Sequence, residues 1–238
     1  MSGEESHLPD DEPRRDRELV HSGIVRATHW LLTVSVFCLL ISGTAILIAH
    51  PRFYWGETGT FSMPAWLEIP ISPIYENTGW GRHLHFLSAW VFVLSGLAYV
   101  VAGLFNRHFR ADLLPSRDQW SLRAVTDVFH VHLRRRSEDP EPWRYNVVQK
   151  LVYLFVVFVL CPAMIWTGLA MSPAVASEYP FLATLLGGHQ SARTIHFIVA
   201  DVLVAFLVVH VTMLVLIGFG THLLAMITGY RSSSEGQV

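Results

Sequence analysis

Four long apolar stretches separated by polar links dominate the chain: residues 30–49 (WLLTVSVFCLLISGTAILIA), about 84–105, about 151–171 and about 194–219. A hydrocarbon core of roughly 30 Å needs about 20 helical residues to cross it, and each stretch reaches that length. With no water to satisfy backbone groups, such stretches must be helices. The pattern predicts an all-α fold, an integral membrane four-helix bundle over residues 23–230, with polar tails at 1–22 and 231–238. The first residues are polar and mixed in charge, without the apolar centre of a signal peptide, and read as a short disordered tail.

The links carry patterns of their own. In the link at about 108–146, Ser116 followed by Gln119 makes a capping box. Trp120, Val125, Phe129 and Leu133 then recur near helical spacing, which predicts an amphipathic helix at the membrane interface. The link at 50–81 is rich in aromatics, Gly and Pro. It predicts an aromatic belt at the membrane surface, with length to spare for a docking surface.

Composition agrees with this picture. The chain is 52% hydrophobic and 15% charged, against about a quarter charged in soluble domains. Its 17 basic residues are unevenly placed. Arg14, Arg15, Arg17 and Arg26 precede the first span; Arg107, Arg110, Arg117, Arg123, Arg134, Arg135, Arg136, Arg144 and Lys150 surround the second link; Arg231 follows the fourth span. Only Arg52, Arg82 and Arg193 fall on the opposite side. The excess of Lys and Arg on the inner side predicts that both termini and the second link are cytoplasmic. The net charge of −2 points to no partner class, and no nucleic-acid partner is expected. Cys38 and Cys161 lie inside apolar spans, with no CxxC or CxxCH pattern for a cluster or a covalently attached haem.

The candidate chemistry lies in the histidines. VRATHW, GRHLHF and ARTIHF each place an arginine three residues before a histidine and an aromatic: Arg26 with His29, Arg82 with His85, Arg193 with His196. His210 follows His196 by 14 residues, about 21 Å along a helix and within about 40° of the same face. Taking each arginine as a membrane boundary, His29 and His210 lie roughly 5 Å from the inner surface, and His85 and His196 roughly 5 Å from the outer one. Two imidazoles at one level of an apolar bundle suit bis-histidine ligation of a haem iron. The expectation is two haem b groups, one per pair.

Arg26, Arg82 and Arg193 stand where haem propionates would emerge and could bind them through charge-assisted bonds. The inner-side charge excess also explains Arg26, but not Arg82 or Arg193. Gly43, 14 residues after His29, reaches the outer level, and Gly96, 11 residues after His85, approaches the inner one. Each could bare its backbone to a macrocycle or serve close helix packing. His83 and His85 are about 200° apart on a helix, and the Arg-x-x-His-Phe match selects His85 over His83. His7, His21, His50, His108, His130, His132, His189 and His222 fall in tails, links or helix ends and read as ordinary polar residues. The third span has no histidine; it reads as a wall, kinked at Pro162.

Over about residues 20–230 the pattern resembles the bacterial dihaem b-type cytochromes, the membrane subunits of formate dehydrogenase, nickel–iron hydrogenase and thiosulfate reductase. The residues that carry it are RATHW, RHLHF, RTIHF with its gap to His210, and the closing MITGY. YNVVQKLVYLFVVFVLCPAMIWTGLAMSP and YWGETG look most like the thiosulfate reductase branch. The resemblance implies an electron conductor of the bacterial cytoplasmic (inner) membrane. Electrons would pass between membrane quinone on the inner side and an extracytoplasmic redox subunit, a molybdenum or iron–sulfur protein, on the outer face. It also implies a quinone pocket at Tyr145, Asn146, Gln149 and Lys150. Val148 stands where the related stretch has Gly, which works against close backbone approach there.

No nucleophile or acid–base dyad is visible, so chemistry on a substrate would belong to the partner. Rival readings are a stand-alone quinone-reactive cytochrome b, a haem-free transporter with histidine relays and a purely structural anchor. The transporter predicts polar spans, yet Asp201 is the one carboxylate well inside a span. The anchor gives no reason for histidines matched in depth.

Overall fold

The computed structural model describes residues 17–58, 63–74, 79–105 and 147–232. Four helical spans of 27, 27, 24 and 40 residues are long and apolar enough to cross a membrane. They are α1 (Gly23–Ala49), α2 (Gly79–Phe105), a third span Val148–Met171 that runs through α3 (Val147–Phe155), a wider turn and α4 (Cys161–Met171), and α7 (His189–Thr228). Short helices α5 (Pro173–Glu178) and α6 (Phe181–Thr184) join α4 to α7. The helices extend beyond the apolar stretches at several ends, as spans do when they continue into the headgroup region. Large apolar side chains such as Leu31, Phe37, Leu94 and Leu216 point outward, the arrangement for a lipid-facing surface.

What is buried is small. On α1 the buried residues are Thr28, Ser35, Ser42 and Ala49, and on α2 they are Gly81, Ser88, Ser95 and Gly103. Their near seven-residue spacing keeps one stripe of each helix facing its neighbour. Small residues there let the backbones approach, which is how helices gain contact when lipid removes the hydrophobic drive. The α1 hydroxyls need no partner across the seam, because Thr28, Ser35 and Ser42 donate to carbonyls of their own helix. The second hairpin packs α4 against α7. Ala170, Ala183 and Ala192 form a knot at its connecting end, and Trp166 Nε1 donates to the Leu182 carbonyl.

The kink expected at Pro162 takes the form of a π-turn, Val156–Leu160, just before it. Proline's ring would press on the carbonyl four residues back, and the wider turn relieves this, with the Cys161 N–H reaching back to the Val156 carbonyl. The α7 helix runs past residue 219, but Gly218 adopts φ 127° and ψ 79° and kinks it there. His222 Nδ1 donates to the Gly218 carbonyl at the kink.

The two hairpins are tied at both ends. At one end, β1 (Arg17–Leu19) pairs antiparallel with β4 (Tyr230–Ser232). Residues 17–19, expected within a free tail, are therefore paired with the other end of the chain, and both ends of the described chain lie on the same side of the bundle. At the opposite end, β2 (Arg52–Phe53) pairs with β3 (Leu67–Glu68), strengthened by a 2.8 Å Arg52–Glu68 ion pair. The loop after β2 caps the start of α7: the Gly56 carbonyl accepts the N–H groups of Gln190 and Ser191, and Glu57 accepts that of His189. These are the donors a helix start leaves orphaned. The amphipathic helix expected near residues 116–133 lies outside the described residues.

Two predictions follow from this clasp. Gly188 has φ +113°, and a Cβ there would stand 2.6 Å from the Gly56 backbone. Gly188→Ala is expected to cost at least about 2 kcal/mol, lowering Tm in detergent, whereas Gly23→Ala, which faces open space, leaves it unchanged. Burial first, then the guanidinium groups of Arg193 and Arg82, hold the His50 imidazole below its ordinary range. The undocked loop then binds the proton more readily than the docked one, so stability falls as pH drops below about 6.5. The Tm loss between pH 7 and pH 5 should shrink in His50→Gln.

Candidate haem-binding site

The two hairpins meet through their histidines. His85 on α2 faces His196 on α7, their ring centroids 6.3 Å apart and their planes at 63°. His29 near the start of α1 lies within electrostatic range of His210. His210 stacks on Phe206 and meets Tyr153 edge-on. On α7, His196 lies seven residues after the helix start, and His210 lies near its middle. His83 is exposed and His85 is half-buried against α1, so the structure turns His85 inward.

Both outer imidazoles are oriented by hydroxyls. Ser42 Oγ lies 3.0 Å from His85 Nδ1, and Thr167 Oγ1 lies 2.8 Å from His196 Nδ1. Gly43 and Gly168 stand beside these hydroxyls, where a Cβ on either would come 3.6 Å from the Cε1 of the facing histidine. Gly43 thus lies against His85. A Cβ on Gly96 would meet nothing within 4 Å, leaving its backbone bare. Ser42, Thr167 and Gly168 were not singled out from the sequence. The available signal was the Ser-Gly and Thr-Gly dipeptides near the outer ends of the first and third spans.

The arginines have a use that helix-by-helix spacing hides. Arg26, at the start of α1, donates from Nη1 to the Ile227 carbonyl at the end of α7, at 3.1 Å. Arg193, at the start of α7, donates to the His50 carbonyl at the end of α1. Each therefore satisfies a carbonyl at the other helix's C-terminus, where the helix dipole favours a cation. Arg193 also lies over the Phe53 ring at 5.0 Å, and Phe53 stacks on Phe197. Arg82 is exposed near His50. Arg26 Nε is buried without a hydrogen-bond partner, and so is His29 Nδ1. Gln149 and Lys150 stand half-buried in the first turn of α3; Tyr145 and Asn146 lie outside the described residues.

The donor set can be tested against a haem iron. Among the described residues no three His, Cys, Asp or Glu side chains gather to hold a metal ion, so the donors come as pairs. A pair of imidazoles cannot complete the four ligands a zinc ion takes, but it suffices for an iron whose remaining ligands come from a macrocycle. Two metal–nitrogen bonds of about 2.0–2.1 Å, with about 1.1 Å from nitrogen to ring centre on each side, span about 6.3 Å. The His85–His196 separation matches that span. The outer residues fit the group.

Comparison with known proteins gives the family. Residues 20–229 match the model of the prokaryotic cytochrome b561 family. The chain is 31% identical over 211 residues to a putative protein-methionine-sulfoxide reductase subunit, YedZ1, of Azospira oryzae, covering 89% of this chain and 96% of that protein. It is 24% identical over 234 residues to a probable Ni/Fe-hydrogenase B-type cytochrome subunit of Cupriavidus necator, covering 91% and 87%. No solved structure matches. With nearly its whole described length matched and its imidazoles paired across two membrane hairpins, the chain belongs to the prokaryotic cytochrome b561 family, haem b membrane proteins that serve as electron-transport subunits of oxidoreductases.

Proposed function

We propose that this protein holds two haem b groups and carries electrons between the membrane quinone pool and an extracytoplasmic oxidoreductase. The observation that carries this reading is the opposed His85–His196 pair at 6.3 Å, each ring fixed at Nδ1. His85 and His196 would hold the outer haem, and His29 and His210 the inner one. Bound there, haem supplies a one-electron carrier at each membrane level.

The chain's own residues set the conditions for that traffic. The hydroxyls at Nδ1 leave Nε2 of both outer imidazoles free to coordinate. Arg193 and Arg82, beside His50 at the outer end, favour anionic propionates there; the unpartnered Arg26 Nε offers the same at the inner end. The outward-facing apolar side chains keep water from both levels. Gln149 and Lys150, with Tyr145 and Asn146, supply donors for a quinone carbonyl at the entrance of the third span.

The partner class rests on the two relatives, each named as a subunit of an oxidoreductase. A molybdenum or iron–sulfur protein docked on the outer link fits the reading. The excess of basic residues on the inner side supports cytoplasmic termini and residence in the bacterial inner membrane. The β1–β4 pairing agrees, since it puts both ends of the described chain on one side.

Two measurements check the proposal. Reduced-minus-oxidised spectra of the purified protein should count two b haems per chain, falling to about one in His85→Ala, His196→Ala, His29→Ala or His210→Ala. A folded, membrane-inserted chain without haem refutes the reading. Gln149→Ala and Lys150→Ala should each slow quinol-driven haem reduction about tenfold, the loss of one hydrogen bond of about 1.4 kcal/mol, with haem content unchanged.

A further inference from the structure

The outer histidines are gripped in the same way from two different helices. Ser42 donates its hydroxyl proton to the Cys38 carbonyl of its own helix, at 2.7 Å. Thr167 does the same to the Ala163 carbonyl, also at 2.7 Å. A hydroxyl has one proton to give. Once it is committed, the oxygen facing the histidine can only accept. Nδ1 of His85, at 3.0 Å, and Nδ1 of His196, at 2.8 Å, must then be the protonated nitrogens. The next residue in each case is a glycine, Gly43 or Gly168, leaving room beside the imidazole Cε1.

Both oxygens are withdrawn from solvent, since Ser42 is fully buried and Thr167 nearly so. No water competes for either Nδ1–H, and the one further acceptor beside His85 is the Leu39 carbonyl of the same helix as Ser42. The inner level is built differently: His29 Nδ1 is buried with no hydrogen-bond partner. The hydroxyl–glycine seat is a feature of the outer pair, contributed once by α1 and once by α4.

We propose that Ser42 and Thr167 are positioning residues that set the tautomer and donor strength of the outer histidines. The inference rests on the bis-histidine reading above and goes beyond it. Each relay runs from Nδ1–H through the hydroxyl to a helix carbonyl, and it draws the Nδ1 proton away from the ring. Nε2 becomes the stronger donor, and a stronger donor favours the oxidised form of an iron bound to it. The third span, which carries no ligand, thereby tunes the outer centre through Thr167.

The test is a potentiometric titration of the purified two-haem protein, with low-spin electron paramagnetic resonance of the oxidised form. Thr167→Val keeps the shape and removes the hydroxyl; Ser42→Ala removes the other. In each, one reduction step should move to higher potential by about a tenfold change in its equilibrium constant, about 59 mV for one electron. The other step should stay in place, the g-values of one haem should change, and Thr167→Ser should restore the wild-type values. Two haems with unmoved potentials and g-values in both hydroxyl-free variants would overturn the proposal. If Thr167→Val loses a haem, retention in Thr167→Ser supports the hydroxyl's role, and loss in both shows packing alone and overturns it. Failure of the underlying reading is separate: His196→Ala would then keep both haems.

Discussion

An imidazole placed in hydrocarbon has two nitrogens and no water for either, and the bundle is organised around that constraint. A hydroxyl on a neighbouring helix settles one nitrogen of His85 and one of His196, and the two rings stand 6.3 Å apart. Because an unsatisfied polar group in lipid costs several kcal/mol, the hydroxyls must be close, and closeness requires small residues. The buried stripes of Thr, Ser, Gly and Ala on α1 and α2 therefore serve two ends. They pack the helices, and they bring Ser42 within reach of His85.

The same economy governs the helix ends. The first and last spans run in opposite directions, so the start of each lies beside the finish of the other. Arg26 and Arg193 exploit this reciprocally, each reaching the terminal carbonyls of the opposite helix. Trp30 Nε1 adds a contact to the Met226 carbonyl at one end, and Thr194 Oγ1 one to the Tyr54 carbonyl at the other. The histidine levels are thus framed by helix ends that are tied to one another.

Much of this was legible in the sequence, for definite reasons. Helix rise converts residue number into depth, so His85 and His196, whose rings the fold sets 6.3 Å apart, could be matched by level. The angle between His83 and His85 let only one face inward, and the Arg-x-x-His-Phe match chose His85. The bonds of Arg26 and Arg193 to helix ends were not legible, because spacing along one helix does not say which carbonyl lies across from it. Thr167 and Gly168 were missed for a similar reason: a span without histidine reads as a wall, and a threonine in an apolar helix ordinarily bonds its own backbone. Pro162 announced a break but not its form, since both a bend and a widened turn relieve the same clash.

The last helix contributes to everything that matters here. One member of each histidine pair is on α7, as are the carbonyl that receives Arg26 and the arginine that grips the end of α1. Ribosomal synthesis delivers that helix after the other three. Until it is inserted, α1, α2 and the third span hold only half of each proposed site. On the two-haem proposal, the arrival of one segment completes both sites in one assembly event, and a chain truncated before residue 189 would have neither.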